Sequence, residues 1–226
     1  MYTQRIIHTP AVGKSQELRA VLLERNASGN ADAPHSLSVN MFSPQAGYVH
    51  AIRFDNLAAL EAYQERPSLR ESAFQEQGRR IDQCLAQERV TFLYEEVAST
   101  GTPSTPPKFL IRNRLSQAPG KGAELRAVLE ERLHTATPGL AGARLSQLVV
   151  SLDGPAYSTT LLFGSMADMD TFRAAQRNDP TFQPFLSKVA SLTRGPVQQR
   201  MQRILAPFPT QTANGRAAEL AVPAGR

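Results

Sequence analysis

Apolar and polar residues alternate along the chain in a pattern that predicts two series of strands and helices with the same order. In the first series, strands are predicted over 2–8, 37–42, 48–54 and 90–97, where β-branched and aromatic residues alternate with polar ones. The spacing of Leu18, Val21, Leu22 and Arg25 predicts a helix over 13–27. Two further helical segments follow residue 55 and are separated by Pro67.

The second half of the chain repeats this series. Strands are predicted over 108–115, 145–152, 157–163 and 197–205, with a helix over 124–133 and two helical segments separated by Pro180. The repetition is visible in the letters, because residues 13–22 read GKSQELRAVL and residues 120–129, which lie 107 positions later, read GKGAELRAVL. Solenoid repeats are only about 20–50 residues long. We therefore interpret the pattern as two copies of a domain-sized unit.

The order of elements predicts an α+β fold. Each half reads β-α-β-β-α-β with an extra helical segment before the last strand, which is the order of a ferredoxin-like unit. Such a unit covers one face of its sheet with helices and leaves the other face in need of a partner. We expect two fused units whose sheets face each other as an intrachain barrel, an internal pseudo-dimer. The predicted organisation is a first unit over 1–97, a Pro/Thr/Ser linker over 98–107, a second unit over 108–206 and a Pro/Ala-rich tail over 207–226.

Composition and charge narrow the class of protein. No apolar run approaches the roughly 18–20 residues that a membrane span needs, so we expect no membrane partner. A single cysteine, Cys84, excludes an intrachain disulfide and favours a cytoplasmic location. The first 97 residues carry 10 basic and 12 acidic side chains, whereas the remainder carries 15 and 8. Because the arginines are dispersed, we expect the two halves to pack together and expect no nucleic-acid partner.

Several short motifs resemble those of a known superfamily. The segment Ala118-Pro119-Gly120-Lys121 ends the first strand of the second half and precedes an amphipathic helix that contains an acid. A tyrosine opens the third strand, and Phe172 is followed by Asn178-Asp179-Pro180-Thr181-Phe182. In this order, over residues 2–97 and 108–206, these features resemble the dimeric α+β barrel superfamily, and within it the NIPSNAP-like and antibiotic-biosynthesis-monooxygenase groups.

The resemblance implies a barrel made from two units, with a small-molecule pocket between the sheet and the helices of a unit. Members of the superfamily include cofactor-free oxygenases, haem-degrading enzymes and isomerases, so the fold alone does not define the function. This chain departs from several oxygenases of the group in one respect, because it has no tryptophan.

Histidines are the candidate catalytic groups. His8 ends the first strand and His50 lies in the third, which neighbours the first in this fold, so the two can approach each other. An imidazole suits a general base, or a haem or metal ligand. The alternative is a half-buried histidine that bonds a hydroxyl or a carbonyl. Leu115 and Thr159 stand at the matching positions of the second half, which indicates that only one half carries a working site.

Tyrosines and arginines are the candidate substrate-binding groups, because a hydroxyl or a guanidinium can orient a substrate or hold an oxyanion. Core packing and ordinary salt bridges are the alternatives for these side chains. The candidates are Tyr48, Arg53, Tyr63, Tyr94 and Tyr157, and further arginines in predicted strands are Arg112, Arg114 and Arg200. His35 and His134 lie in or beside predicted loops and are expected at the surface. No cluster has the spacing of a metal site, so no metal is expected.

These observations leave more than one class of function open. The first is a small-molecule enzyme or binder resembling cofactor-independent monooxygenases, in which His50 or His8 removes a proton from an activated carbon and a tyrosine or arginine holds the oxyanion. The second is a non-catalytic binding or assembly protein, and a third is a haem-binding protein. We expect a small organic molecule as partner and no tightly bound cofactor, with a further homodimer as an option for exposed edge strands.

Overall fold

The computed structural model describes residues 1–30, 32–42, 47–101, 103, 105–149 and 156–209. The first half contains strands β1 (Tyr2–His8), β2 (His35–Asn40), β3 (Tyr48–Phe54) and β4 (Val90–Thr100), and helices α1 (Ser15–Gly29), α2 (Leu57–Glu65) and α3 (Ser72–Asp82). The second half contains strands β5 (Phe109–Ser116), β6 (Gly142–Leu148), β7 (Ala156–Phe163) and β8 (Gln198–Ala206), and helices α4 (Gly122–Leu133), α5 (Met166–Asn178) and α6 (Phe182–Leu192).

The strands form one closed barrel in the order β1-β3-β2-β8-β5-β7-β6-β4. Within each half the order is that of a ferredoxin-like unit, and all the pairings are antiparallel. The halves join where β2 pairs with β8 and where β4 pairs with β6. The predicted α+β fold, with two β-α-β-β-α-β units that build an intrachain barrel, is confirmed.

Several strand boundaries differ from the prediction, and β6 for example begins at Gly142, three residues before the predicted start. β2 begins at His35 because the Asn30 side chain accepts the His35 backbone N–H at 2.7 Å and His35 then pairs with Ile52. β4 continues to Thr100, beyond the predicted end at residue 97, because its last residues pair with β6. Residues 43–46 and 150–155, which lie between the middle strands of each half, are outside the described residues, as is the predicted tail from residue 210. The division into domains stays a prediction.

The helices cover the outer face of the barrel. In the first half, Leu18, Val21 and Leu22 of α1 pack with Leu37 and Ile81. In the second half, Leu125, Leu129 and Leu133 of α4 pack in the same way. Their partners in a second cluster are Leu145 of β6 and Leu192 of α6. Alternate residues of each strand point to this helix layer, and the others point into the barrel. Strand β3 is buried along nearly its whole length because both of its faces are covered.

Candidate functional site

His8 and His50 lie side by side on the outer face of the first-half sheet. Register places Ile6 opposite His50 and His8 opposite Tyr48, so both histidines face the helix layer. The centroids of the two imidazole rings are 6.4 Å apart. Each residue is only 2% exposed. The predicted approach of these two side chains is therefore present in the structure.

A third histidine completes a hydrogen-bonded chain. His35 Nδ1 lies 2.9 Å from His50 Nε2, and the Tyr63 hydroxyl of α2 lies 3.2 Å from His35 Nε2. The prediction that His35 is a surface residue is wrong, because the earlier start of β2 turns its side chain towards α1, where it is 1% exposed. Gly29 makes room for the ring, since a Cβ at this position would lie 2.2 Å from His35 Cε1. We call His8, His35, His50 and Tyr63 the histidine cluster.

Two arginines lie beside the histidine cluster. The Arg25 guanidinium carbon lies 3.7 Å from the centroid of the Phe74 ring, and that of Arg66 lies 3.4 Å from the centroid of the Tyr63 ring. Arg66 Nη1 also donates to the Tyr63 carbonyl, and Arg66 Nε lies 2.9 Å from Asp32 Oδ2. Among the residues that the structure describes, Arg25 forms no ion pair, and its buried Nη1 has no hydrogen-bond partner. The cluster thus borders a cation that no carboxylate contacts.

Burial and these charges keep all the cluster imidazoles neutral. Burial, followed by Arg89 and Arg25, lowers the pKa of His8 to about 3. Burial, followed by Arg66 and Arg25, lowers the pKa of His35 to about 4. Burial also lowers the pKa of His50 well below its ordinary value, and the neighbouring histidines add to that effect. At neutral pH each ring is therefore uncharged, and its protonation is unfavourable unless an anion lies beside the ring.

His8 differs from the other two histidines in having no partner. Both of its ring nitrogens are buried, and neither has a hydrogen-bond partner within the described ranges. A buried polar atom that is left unpaired is costly, so such an atom is frequently found where a ligand binds. His8 is therefore the member of the cluster whose imidazole is left unpaired among the described residues.

The same location in the second half has different chemistry. Register puts Leu115, Thr159 and Ala143 at the positions of His8, His50 and His35. Arg132 corresponds to Arg25 and lies 5.3 Å from the Phe182 ring centroid, but its Nη1 lies 2.7 Å from Asp179 Oδ2. Hydrogen bonds from Thr181 and Arg132 lower the pKa of Asp179 to about 2, so this carboxylate is charged. The second half therefore neutralises the matching arginine and has no histidine beside it.

The structure separates the other predicted substrate-binding residues. Tyr48 and Tyr157 are matched side chains that reach the first turns of α1 and α4, where their hydroxyls bond the carbonyls of Ser15 at 3.0 Å and Gly122 at 3.3 Å. Only Tyr63 joins the histidines. Arg53 and Tyr94 face the barrel interior, on the opposite side of the sheet. The predicted set thus falls into the cluster, two helix anchors and the interior.

Sequence reasoning did not identify His35, Arg25 and Arg66 as members of this site. Two signals were present in the sequence. Arg25 continues the apolar stripe of α1, where a charged residue must be paired or functional, and His35 continues the period-two pattern of Leu37 and Val39.

The residues that the structure describes contain neither an arrangement of metal ligands nor a helix suited to crossing a membrane. No group of three or more histidine, cysteine or acidic side chains in these residues is arranged to hold a metal ion. None of the helices found there has the length and apolar character that crossing a bilayer requires.

A closed barrel of eight strands built from two ferredoxin-like halves is the fold of the dimeric α+β barrel proteins. No protein-family model and no curated protein matches the chain. Solved structures do match over most of its length. A proposed monooxygenase from Fusobacterium nucleatum superposes with a TM-score of 0.70 at 7% identity, covering 93% of this chain and 98% of that one.

Two further structures extend the comparison. An anthrone oxidase-like protein superposes with a TM-score of 0.65 at 12% identity, covering 97% of this chain and 96% of that one. A proposed monooxygenase from Lactobacillus acidophilus superposes with a TM-score of 0.64 at 7% identity, covering 90% and 93%. At these identities the similarity defines the fold, and the function has to be argued from the site.

Proposed function

We propose that the protein is a small-molecule enzyme that oxidises a carbon acid with molecular oxygen, and that the histidine cluster of the first half removes the proton. The observation that supports this most is the buried chain His50–His35–Tyr63 beside His8, whose ring nitrogens are unpaired. Such a chain can accept a proton and move it along hydrogen bonds. The second-half residues at these positions cannot do so.

His8 is the proposed base. Its imidazole is neutral because its pKa lies near 3, so it accepts a proton only when a negative charge forms nearby to stabilise the imidazolium. A carbon acid supplies that charge when its proton leaves, because its conjugate base is an enolate. Proton transfer and oxyanion formation are thereby coupled, and no free carbanion persists in water.

Arg25 is the proposed oxyanion group. Arg25 is half-buried, is stacked on Phe74, and forms no ion pair with the residues that the structure describes. A guanidinium that is already fixed in place stabilises a developing oxyanion without the cost of reorienting water. An oxyanion at Arg25 also affects the histidines. Burial and then the arginine charges lower the pKa of His8 and His35, and the negative charge of the oxyanion offsets the part that comes from Arg25.

Anthrone is a suitable probe of this chemistry, and one structural neighbour is described as anthrone oxidase-like. Loss of the proton at C10 gives an enolate, which transfers one electron to oxygen. Recombination at C10 gives a hydroperoxide, and loss of water leaves the second carbonyl. The balance is anthrone plus O₂ giving anthraquinone plus water. The substrate supplies the electrons, so no added reductant is needed.

The test is anthrone-dependent oxygen uptake by the purified chain, corrected for the uncatalysed rate. We expect the double variant His8→Leu/His50→Thr, which installs the second-half residues, to lose about 100-fold or more in kcat/KM. The matched controls, His134→Ala at an exposed histidine and Thr159→Val in the second half, should retain the wild-type rate. Equal rates for the wild type and the double variant would contradict the proposal. Absence of protein-dependent uptake would exclude anthrone-type substrates.

The haem-binding alternative depends on a single residue of the cluster. A haem iron needs an imidazole nitrogen that it can reach. His50 and His35 already bond each other, so within the cluster His8 is the imidazole whose nitrogens have no partner among the described residues, and it would be the one available ligand. A Soret band that appears when haem is added and disappears in the His8→Leu variant would favour the haem-binding alternative.

A further inference from the structure

A second site lies inside the barrel, on the other face of the sheet. A cavity of about 630 Å³ is lined there by residues from both halves. This volume is in the range of pockets that bind small organic molecules. Arg5 alternates with His8 along β1, and it therefore faces the cavity while the histidines face the helices.

Two arginines at matched positions are part of the cavity wall. Arg5 of β1 and Arg112 of β5 are 107 residues apart, the same offset as the repeated sequence, and their strands lie opposite each other in the ring. Arg5 is 6% exposed and donates from Nη1 to the Ser158 hydroxyl at 2.9 Å. Arg112 donates from Nη1 to Gln202 Oε1 at 3.1 Å. Each arginine is thus held by a neutral partner, which lies on the neighbouring strand β8 for Arg112 and across the barrel on β7 for Arg5.

The charges of this arginine pair are not compensated by the chain. Among the described residues, neither Arg5 nor Arg112 forms an ion pair, and the Nε atom of each is buried without a hydrogen-bond partner. Burial, followed by the charge of Arg5, lowers the pKa of Arg112 well below its ordinary value. Two like charges that repel each other in an enclosed space are costly unless an anion joins them.

The carboxylates that line the cavity each lie near an arginine other than Arg5 and Arg112, or are exposed. Glu96 lies 3.9 Å from Arg144, and Asp32 lies 2.9 Å from Arg66. Asp55 is exposed just after the end of β3. Arg53 and Arg144 also line the cavity, so its wall is positive, and Arg5 and Arg112 are members of that wall without an ion pair among the described residues.

The rest of the wall combines hydroxyl groups, among them Ser38, Ser146 and Thr160, with an apolar part. Leu110, Leu162 and Ile204 line the cavity, as do Pro107 and Phe208 from the segments next to the second unit. Phe208 lies against Arg53, with 3.8 Å between the guanidinium carbon and the ring centroid. Such a wall fits the hydrocarbon part of a ligand whose charged end meets the arginines.

We infer that the barrel interior binds a small organic anion with an apolar body, whose acidic group lies between Arg5 and Arg112. A carboxylate matches the planar donor set of a guanidinium, and the matched positions of the two arginines offer donors from opposite walls. This inference is independent of the proposed oxidation, because it rests on residues that do not contact the histidine cluster.

The test is isothermal titration calorimetry at pH 7 with octanoate, with 1-octanol as its uncharged counterpart and inorganic phosphate as the anion without an apolar body. We expect octanoate to bind one equivalent saturably, and the two comparison compounds to bind at least tenfold more weakly. Arg112→Met should weaken octanoate binding at least tenfold. Arg19→Met, at an exposed arginine of α1, and His50→Gln should bind octanoate as the wild type does.

Thermal unfolding adds a second readout that remains useful if affinity is low. Octanoate should raise the Tm of the wild type but not that of Arg112→Met, while the charge-preserving Arg112→Lys should show an intermediate shift. Absence of saturable octanoate binding to the wild type, or equal binding by folded Arg112→Met, would overturn the inference. If octanol bound as tightly as octanoate, the arginines would not contact the charge of the ligand. If phosphate bound as tightly as octanoate, the site would not require an apolar ligand body.

Discussion

The two halves of the barrel treat one matched arginine in opposite ways. Arg25 and Arg132 occupy equivalent places on α1 and α4, and each contacts a matched phenylalanine, Phe74 or Phe182. Arg132 is neutralised by Asp179, whereas the residue before the matching proline in the first half is a second arginine, Arg66. The same backbone therefore yields a closed ion pair in one half and an uncompensated cation beside three neutral histidines in the other.

The residues that the two halves share stabilise the fold, whereas the residues that differ are the candidates for a chemical role. Leucines, anchoring tyrosines and glycine turns are shared, so both halves fold in the same way. The first half then carries buried polar groups that weaken it, namely the unpaired His8 ring and the free Nη1 of Arg25. The matching positions of the second half hold Leu115 and the ion-paired Arg132. Because unpaired buried groups reduce stability, their presence at these two positions of the first half favours a functional role there.

The largest expected effect comes from giving the first half the ion pair of the second. Arg66→Asp places a carboxylate where it can neutralise Arg25 and remove the oxyanion group. We expect kcat/KM for anthrone-dependent oxygen uptake to fall by about 100-fold. Its counterpart, Asp179→Asn, frees Arg132 and should leave the rate unchanged. Full activity in Arg66→Asp would show that Arg25 holds no oxyanion.

The next effect concerns the space that Gly29 leaves for His35. In Gly29→Ala, the new Cβ would clash with the His35 ring, which must move and break its bond to His50. We expect the free energy of unfolding in urea to fall by about 1–3 kcal/mol. Gly78→Ala is the matched control, because a Cβ there meets nothing within 4 Å and alanine favours the helix. Equal stability of Gly29→Ala and the wild type would mean that the ring is not confined.

Acid should destabilise the wild type more than a variant without His8. The pKa of His8 is about 3 in the folded chain and near its ordinary value in the unfolded chain, so between these values the unfolded state binds the extra proton. The contribution is present above pH 6.5 and is lost as the pH falls, at about 1 kcal/mol per pH unit. Urea unfolding of the wild type and His8→Leu at pH 6 and pH 5 measures the difference. Parallel losses in both proteins would contradict a buried neutral His8.

The smallest effect is expected where the halves agree. Gly13 and Gly120 have φ angles of 78° and 72°, in the left-handed region, and a Cβ on either would meet nothing within 4 Å. Gly13→Ala and Gly120→Ala should therefore each cost about 1 kcal/mol through the backbone alone. Unequal losses in urea unfolding would indicate that the two turns are not equivalent.

The barrel could be predicted from the sequence because its signals are local and occur twice. The repeated segment after each first strand, the period-two strands and the prolines that break the helices define the order of elements, and that order restricts the fold. The start of β2 and the end of β4 could not be predicted in this way, because they depend on contacts that lie outside a local pattern. The Asn30 bond that starts β2 at His35 is one example.

The candidate site could be predicted only in part. His8 and His50 followed from strand order, but His35 and Arg25 required knowledge of how closely α1 approaches the sheet at Gly29. The arginine pair was hidden for another reason. The sequence shows an arginine at matched positions of β1 and β5, yet only closure of the ring brings Arg5 and Arg112 to one cavity.

The most direct test of the central claim, that the first half carries the working site, compares matched variants of the two arginines. Arg25→Met and Arg132→Met remove the same charge from equivalent helices. We predict that kcat/KM for anthrone-dependent oxygen uptake falls by about 100-fold in Arg25→Met and stays at the wild-type value in Arg132→Met. Equal activities of the two variants, or a larger loss in Arg132→Met, would contradict the account.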